Sequence, residues 1–380
     1  MLNNHHPFII SPHFYTKFLL VSLLTFIFTC FASGQEIFSV DNTHENGKTK
    51  EYYQAFLNSQ GDTVKHGNYI YFFPNGNKRQ QGQFQYNMPE GTWSTFYTSG
   101  ELHQLISFKK GLREGEFTAY YPTGKLLQKG AYKNGNLQGF FHTFFPDEQI
   151  ESKTNFERGM PTGFGYLYFE NGSLYRKTRL ENGTENGVWE EYHNNGALHY
   201  KGKKIRRAST DTLRVHYKNG NLKRICYYRQ GKIDGTLISF HPNGDKMSEA
   251  EYELGKLHGL YTEYYRGGQK SNEGKYIRNK KEETWQTWHE NGKTYTAGKF
   301  ENDKLEGIWK VYYPNGQLKQ TGRYKNGIPE GAWEYYYASG NLKKKGTYEN
   351  GKEEGKWFFY EDHNKETIKQ QTTYRKGIEQ

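Results

Sequence analysis

Tyr312-Tyr313-Pro314-Asn315-Gly316-Gln317-Leu318 is one copy of a unit that returns every 24 positions from about residue 67 to the C-terminus. Gly316 belongs to the series Gly76, Gly100, Gly124, Glu148, Gly172, Gly196, Gly220, Gly244, Gly268, Gly292, Gly316, Gly340, Asn364, which holds 11 glycines in 13 slots without insertion or deletion. A second series runs Gly67, Gly91, Gly115, Gly139, Gly163, Gly187, Asp211, Gly235, Gly259, Glu283, Gly307, Gly331, Gly355, again 11 of 13. A third, from Asn87 to Gly351, has glycine in 8 of 12 slots, so the three series take 30 of the 43 glycines. Self-similarity at a fixed period defines a repeat architecture, and it decides the fold before any local motif does.

The copy Gly331 to Glu354 shows what one period builds. Gly331-Ala332-Trp333-Glu334-Tyr335-Tyr336-Tyr337 is rich in aromatic residues, which suit a pleated, half-buried surface. Ala338-Ser339-Gly340 supplies a turn, Asn341 to Glu349 alternates as a second strand, and Asn350-Gly351 is a strong two-residue turn signal. Each period is a β-hairpin, and the next begins at once. The pattern predicts an all-β, elongated antiparallel meander: about thirteen hairpins, roughly 26 strands, in a single open twisted sheet.

Aromatic slots explain how such a sheet holds together. The first of each aromatic pair is Phe72, Phe96, Tyr120, Phe144, Tyr168, Tyr192, His216, Phe240, Tyr264, Trp288, Tyr312, Tyr336 and Tyr360. Trp93, Trp189, Trp285, Trp309, Trp333 and Trp357 share another slot, two residues after the second glycine. Rings stacked on neighbouring hairpins form packing rungs. Gly76, Gly91, Trp93, Gly100, Gly307, Trp309, Tyr312, Gly316, Gly331, Trp333 and Gly340 therefore define the repeat and are read as structural.

The elements Gly307-x-Trp309-x-x-Tyr312-Tyr313-Pro314-Asn315-Gly316-x-Leu318 and Gly322-x-Tyr324-x-Asn326-Gly327 resemble the MORN family (membrane occupation and recognition nexus). The resemblance is to its bacterial variant, found in YwqK-type antitoxins, and it covers most of the chain. It implies the same hairpin architecture. It also implies an adaptor, a scaffold or a toxin-neutralising partner, because such repeats serve several kinds of protein.

Residues 1–34 read as a signal peptide: Lys17 precedes an apolar run from Phe18 to Phe31, and Ala32-Ser33-Gly34 place cleavage before Gln35. An uncleaved anchor, or lipoprotein processing at Cys30, are the other readings of this segment. Residues 35–66 are polar and less periodic and read as an N-terminal cap, the repeats span 67–363, and 364–380 form a C-terminal cap. Glycine is lost from its slots at 201–211 and again at 279–283, which predicts different turns there. Beyond Cys30 the only cysteine is Cys226, in a slot otherwise held by Gly82, Gly130, Gly202, Gly274, Gly298, Gly322 and Gly346, so it reads as a small space-filler.

The formal net charge is +11, with acids and bases interleaved. The exception is Lys201, Lys203, Lys204, Arg206 and Arg207, read either as a solvated turn or as a patch for an anionic partner, acidic glycan or lipid headgroups. Export disfavours nucleic acid. His193, His241 and His289 share one slot but stand two hairpins apart, about 19 Å, too far to share a metal. Glu90, Glu114, Asp234, Glu282, Glu306, Glu330 and Glu354 share a slot too, with neighbours about 10 Å apart, beyond the paired acids of a retaining glycosidase. No nucleophile elbow, phosphate loop or zinc-protease motif occurs, so neither catalysis nor a cofactor is expected. The sequence points to a non-catalytic exported scaffold for proteins of the cell envelope, the periplasm or the exterior. A module for glycan or membrane surfaces, and an antitoxin-like partner, are the alternatives.

Overall fold

The computed structural model describes residues 36–205 and 208–380. The leader read at 1–34 and two of the clustered bases, Arg206 and Arg207, lie outside the described residues. The described residues form two compact units, those up to 138 with 146–148, and those of 139–145 with 149–380. In both, strands pair antiparallel with their neighbours in sequence, and the described residues contain no helix. The hairpin meander expected from the period is thus the fold. The described residues hold 30 strands, more than the period alone predicts. Residues 35–66 already contain the strands Phe38–Thr43 and Thr49–Leu57, and one strand is interrupted at Gln138.

One hairpin shows the construction. Lys304–Tyr312 pairs with Leu318–Lys325, with Trp309 opposite Gly322 and Gly307 opposite Tyr324. The loop between them closes through Gly316 N–H to the Tyr313 carbonyl at 2.8 Å, with Gly316 at φ 88°. On the other side the ladder skips from Lys299↔Glu306 to Ala297↔Lys310, so Gly307, Ile308 and Trp309 face the single Gly298. That bulge needs a left-handed residue, and Gly307 takes φ 73°.

The bulge lays five of the six slot indoles over a glycine of the preceding strand, while Trp189 stands opposite Thr178. A Cβ placed on Gly322 would lie 2.0 Å from Trp333 Cδ2, and one on Gly298 would lie 2.3 Å from Trp309 Cδ2. Gly82, Gly274 and Gly346 stand the same way under Trp93, Trp285 and Trp357. Tyrosines close the sides: Tyr324 and Tyr348 meet Trp333 edge-on at 5.1 and 5.6 Å. Hence Trp333 is only 3% exposed and Trp357 fully buried, although one layer of sheet makes the core.

Where a smaller side chain replaces the indole, the slot beneath can hold more than glycine. Cys226 lies between Leu213 and Leu237, is 1% exposed and is free, the small space-filler its slot suggested. Burial pushes its thiol pKa up. Ala250, beside Tyr261, is likewise buried.

The expectation of different turns is overturned at 279–283, and in the 201–211 stretch Asp211 keeps the usual bulge while the turn at Arg206-Arg207 lies outside the described residues. Asp211 and Glu283 adopt φ 64° and 58°, the same left-handed bulge that glycine makes elsewhere. Asn279 takes φ 72° in its turn, and its Oδ1 accepts the Leu257 N–H at 2.7 Å. Asn87 and Asp303 do the same for Lys65 and Lys281. Neighbouring strands impose the register, and the side chain's own hydrogen bond offsets the left-handed backbone, which Asn and Asp tolerate better than most residues.

Phenols add a pH limit. Burial, followed by the hydrogen bond donated to Glu334, pushes Tyr336 up to about 12, and burial with Glu190 does the same for Tyr192. A phenol whose folded pKa lies above its unfolded value of 10 contributes stability that is complete below that pH and lost as pH rises towards the folded value. The thermal midpoint should therefore stay level into mild alkali and fall between pH 10 and about 12. A midpoint unchanged across that window would show that the phenols ionise freely in the fold.

Candidate interaction surface

Most polar side chains that repeat along the chain are consumed by the fold. The second aromatic of each pair clamps the following hairpin: Tyr97 Oη donates to the Tyr120 carbonyl at 2.7 Å, Tyr217 to Phe240 at 2.8 Å, Tyr313 to Tyr336 at 2.9 Å. The shared-slot histidines fall at this position. His289 Nε2 lies 3.0 Å from the Tyr312 carbonyl oxygen and His193 Nε2 lies 3.4 Å from that of His216, so both replace a tyrosine clamp. The loop asparagines bridge the same edge, with Asn315 Nδ2 donating to the Ala338 carbonyl and Asn219 Nδ2 to Pro242.

The carboxylate slot is used on the opposite edge. Each acid accepts the N–H of a left-handed residue in the next two-residue turn: Glu90 from Lys110, Glu114 from Asn134, Asp234 from Leu254, Glu282 from Asn302, Glu306 from Asn326, Glu330 from Asn350 and Glu354 from Lys376. The distances run from 2.6 Å at Glu114 to 3.3 Å at Asp234. These turn carboxylates, read only as spaced acids, are structural acceptors. Among the described residues no group of three His, Cys, Asp or Glu is placed to hold a metal ion.

The described part of the basic cluster is divided and paired. Lys201 stands opposite Glu190 and Lys203 opposite Val188, while Lys204, one residue on, points to the indole side of the sheet. Lys201 Nζ is 3.0 Å from Glu190, Lys203 is 3.6 Å from Asp211, and Lys204 is 2.6 Å from Glu185 with its ammonium 4.5 Å from the Trp189 ring centre. Three neighbouring bases in sequence are therefore three separate ion pairs.

A different basic row is free. Lys232, Lys256, Lys280 and Lys304 open four alternate strands after the two-residue turns, and all are exposed. No carboxylate among the described residues lies within ion-pairing distance of them; only Lys280 Nζ finds a side chain, Asn302 Oδ1 at 3.3 Å. Successive members are two strands apart, about 10 Å. Four residues further along two of these strands, Leu260 and Ile308 project from the face away from the indoles, 51% and 57% exposed. The signal was present in the sequence at the period of 24 rather than in consecutive positions.

Fold and surface together define an antiparallel hairpin-repeat protein whose loops and turns lock one hairpin to the next. The family model for the MORN repeat variant matches residues 65–86, 89–110, 113–134, 233–254, 305–326 and 329–350, so MORN-type repeats stand at six places in the chain. A comparison with curated proteins gives no match. Among solved structures the chain is similar to the crystal structures of TcdB2-TccC3-Cdc42 and TcdB2-TccC3, at 11% and 10% identity with TM-scores of 0.15 and 0.16. Each match covers 90% of this chain and 24% of the other, so the chain spans about a quarter of the length of those proteins. A likeness of that depth carries no argument here.

Proposed function

We propose that the protein is a non-catalytic, exported interaction scaffold that holds an acidic protein partner in the cell envelope along the lysine edge of its second unit. The observation that carries this reading is the free row Lys232, Lys256, Lys280 and Lys304, with exposed Leu260 and Ile308 further along two of the same strands. Repetition at about 10 Å lets several modest contacts act on one partner, which raises avidity without any deep pocket. MORN-type repeats suit a role in protein or membrane interaction. Neutralising a toxin by covering it, as the antitoxin resemblance implies, is the same event with a toxin as partner.

The test compares the mature chain with the variant Lys232→Gln, Lys256→Gln, Lys280→Gln, Lys304→Gln. Each protein is used to capture partners from envelope extract, and each is sedimented with phosphatidylglycerol vesicles. The variant should lose the captured protein while keeping its thermal midpoint, since exposed unpaired charges contribute little to stability. Retention of the same protein by the variant overturns the assignment. Loss of vesicle binding with no protein captured moves the function to the membrane surface.

A further inference from the structure

We infer that the first unit carries a binding cleft for an uncharged oligosaccharide, separate from the lysine edge of the second unit. The cleft has a volume of about 460 Å³, within the range of small-ligand sites. Its lining follows the strand register. Tyr52 pairs with Ile70, Ile70 with Gln81 and Gln81 with Ser94, while Asn68 pairs with Gln83. These positions alternate with the row of Tyr69, Gly82 and Trp93, so their side chains point away from the indoles.

None of Tyr52, Asn68, Gln81, Gln83, Thr92 and Ser94 carries a charge, in a chain where 24% of residues do. The same slots become Lys153, Lys177 and Lys201, or Glu190 and Arg214, in the second unit. Hydrogen bonds orient part of the lining. Asn68 Oδ1 accepts from Gln83 Nε2 at 3.3 Å, Gln81 Oε1 accepts from Lys78 at 2.9 Å, and Tyr52 Oη shares a bond with Ser39 Oγ at 3.0 Å. Among the described residues nothing binds the remaining groups: Gln81 Nε2, Gln83 Oε1, Asn68 Nδ2 and the hydroxyls of Thr92 and Ser94.

Neutral donors and acceptors side by side match sugar hydroxyls, each of which both donates and accepts. Tyr52 and Ile70 offer apolar surface for the C–H face of a sugar ring. A phosphate, sulfate or uronate would find no cation among the lining residues to offset its desolvation, and the ammonium nearby, Lys78, is already bonded to Gln81 Oε1. An extended peptide would take its backbone bonds from a free strand edge, and this cleft lies on a sheet face.

The mature chain is titrated with cellohexaose, maltohexaose and chitohexaose by NMR, with a hyaluronan hexasaccharide as the charged control. A neutral hexasaccharide should bind, shift the signals of Gln81, Gln83 and Thr92, and bind equally at low and high salt. Gln81→Ala with Gln83→Ala should weaken it by about tenfold or more, since two hydrogen bonds are lost. Ser94→Tyr, which fills the cleft, should abolish it, with thermal midpoints confirming that both variants are folded. The four-lysine variant should bind the sugar like the parent, which separates this site from the protein-binding edge. The proposal is overturned if no neutral hexasaccharide binds, if hyaluronan binds better, or if both cleft variants bind like the parent.

Discussion

Gly322→Val should destabilise the protein by about 3 kcal/mol, because its Cβ would sit 2.0 Å from the Trp333 indole. Gly322 lies in extended backbone, so the loss is steric and owes nothing to a left-handed φ. Trp333→Leu alone should cost about as much, through the space it leaves between Tyr324 and Tyr348. The pair Gly322→Cys with Trp333→Leu reproduces the arrangement of Cys226 and Leu237 found in the same fold. That double variant should be more stable than the sum of its two single changes predicts, by roughly 2 kcal/mol of coupling. Urea and thermal unfolding of the parent, Gly322→Cys, Trp333→Leu and the double variant closes the cycle. Strict additivity would mean that ring and slot do not fit each other, and the account of the core would fall.

Removing Gly307 to Glu330, one whole period, should leave a folded protein with a thermal midpoint within a few degrees of the parent. The cut joins Glu306 to Gly331, and each lost partner is replaced by its own kind. Trp333 takes the place of Trp309 over Gly298, the Tyr336 carbonyl that of Tyr312 beside His289, and the Asn350 N–H that of Asn326 at Glu306. Removing only Gly307 to Leu318 deletes half a period and joins Glu306 to Lys319. Loop and turn edges then exchange, so tyrosine clamps and carboxylate acceptors meet the wrong backbone, and indoles no longer face small slots. Far-ultraviolet circular dichroism should show intact strands for the first deletion and a large loss for the second. Equal behaviour of the two would contradict locking between neighbouring hairpins.

Both results depend on one property of the chain: side chains 9, 20 or 23 positions apart are neighbours because the hairpins are in register. The sequence by itself determined the period, the hairpin, the turn positions and the slots for rings and small residues. Those follow from local rules, since aromatic alternation and Asn-Gly turns encode strand and reversal without reference to distant parts. The role of Cys226 was legible too, as a small residue in a slot that glycine otherwise holds, while its partner Leu237 was not.

Tertiary structure decided what the repeated polar residues do. Glu306 reads as a turn acid, and only the stacking of the next hairpin brings the Asn326 N–H to its carboxylate. Asp211 and Glu283 read as breaks, and only neighbouring strands hold them in the left-handed bulge. Lys201, Lys203 and Lys204 read as one patch, yet strand alternation turns them to opposite faces and onto different carboxylates. Lys232, Lys256, Lys280 and Lys304 stand 24 residues apart in sequence, and strand pairing sets them in one exposed row. Period-level patterns survive in a linear sequence because every hairpin repeats them. Partners across strands depend on register, bulges and side-chain direction, which exist only once the strands have paired.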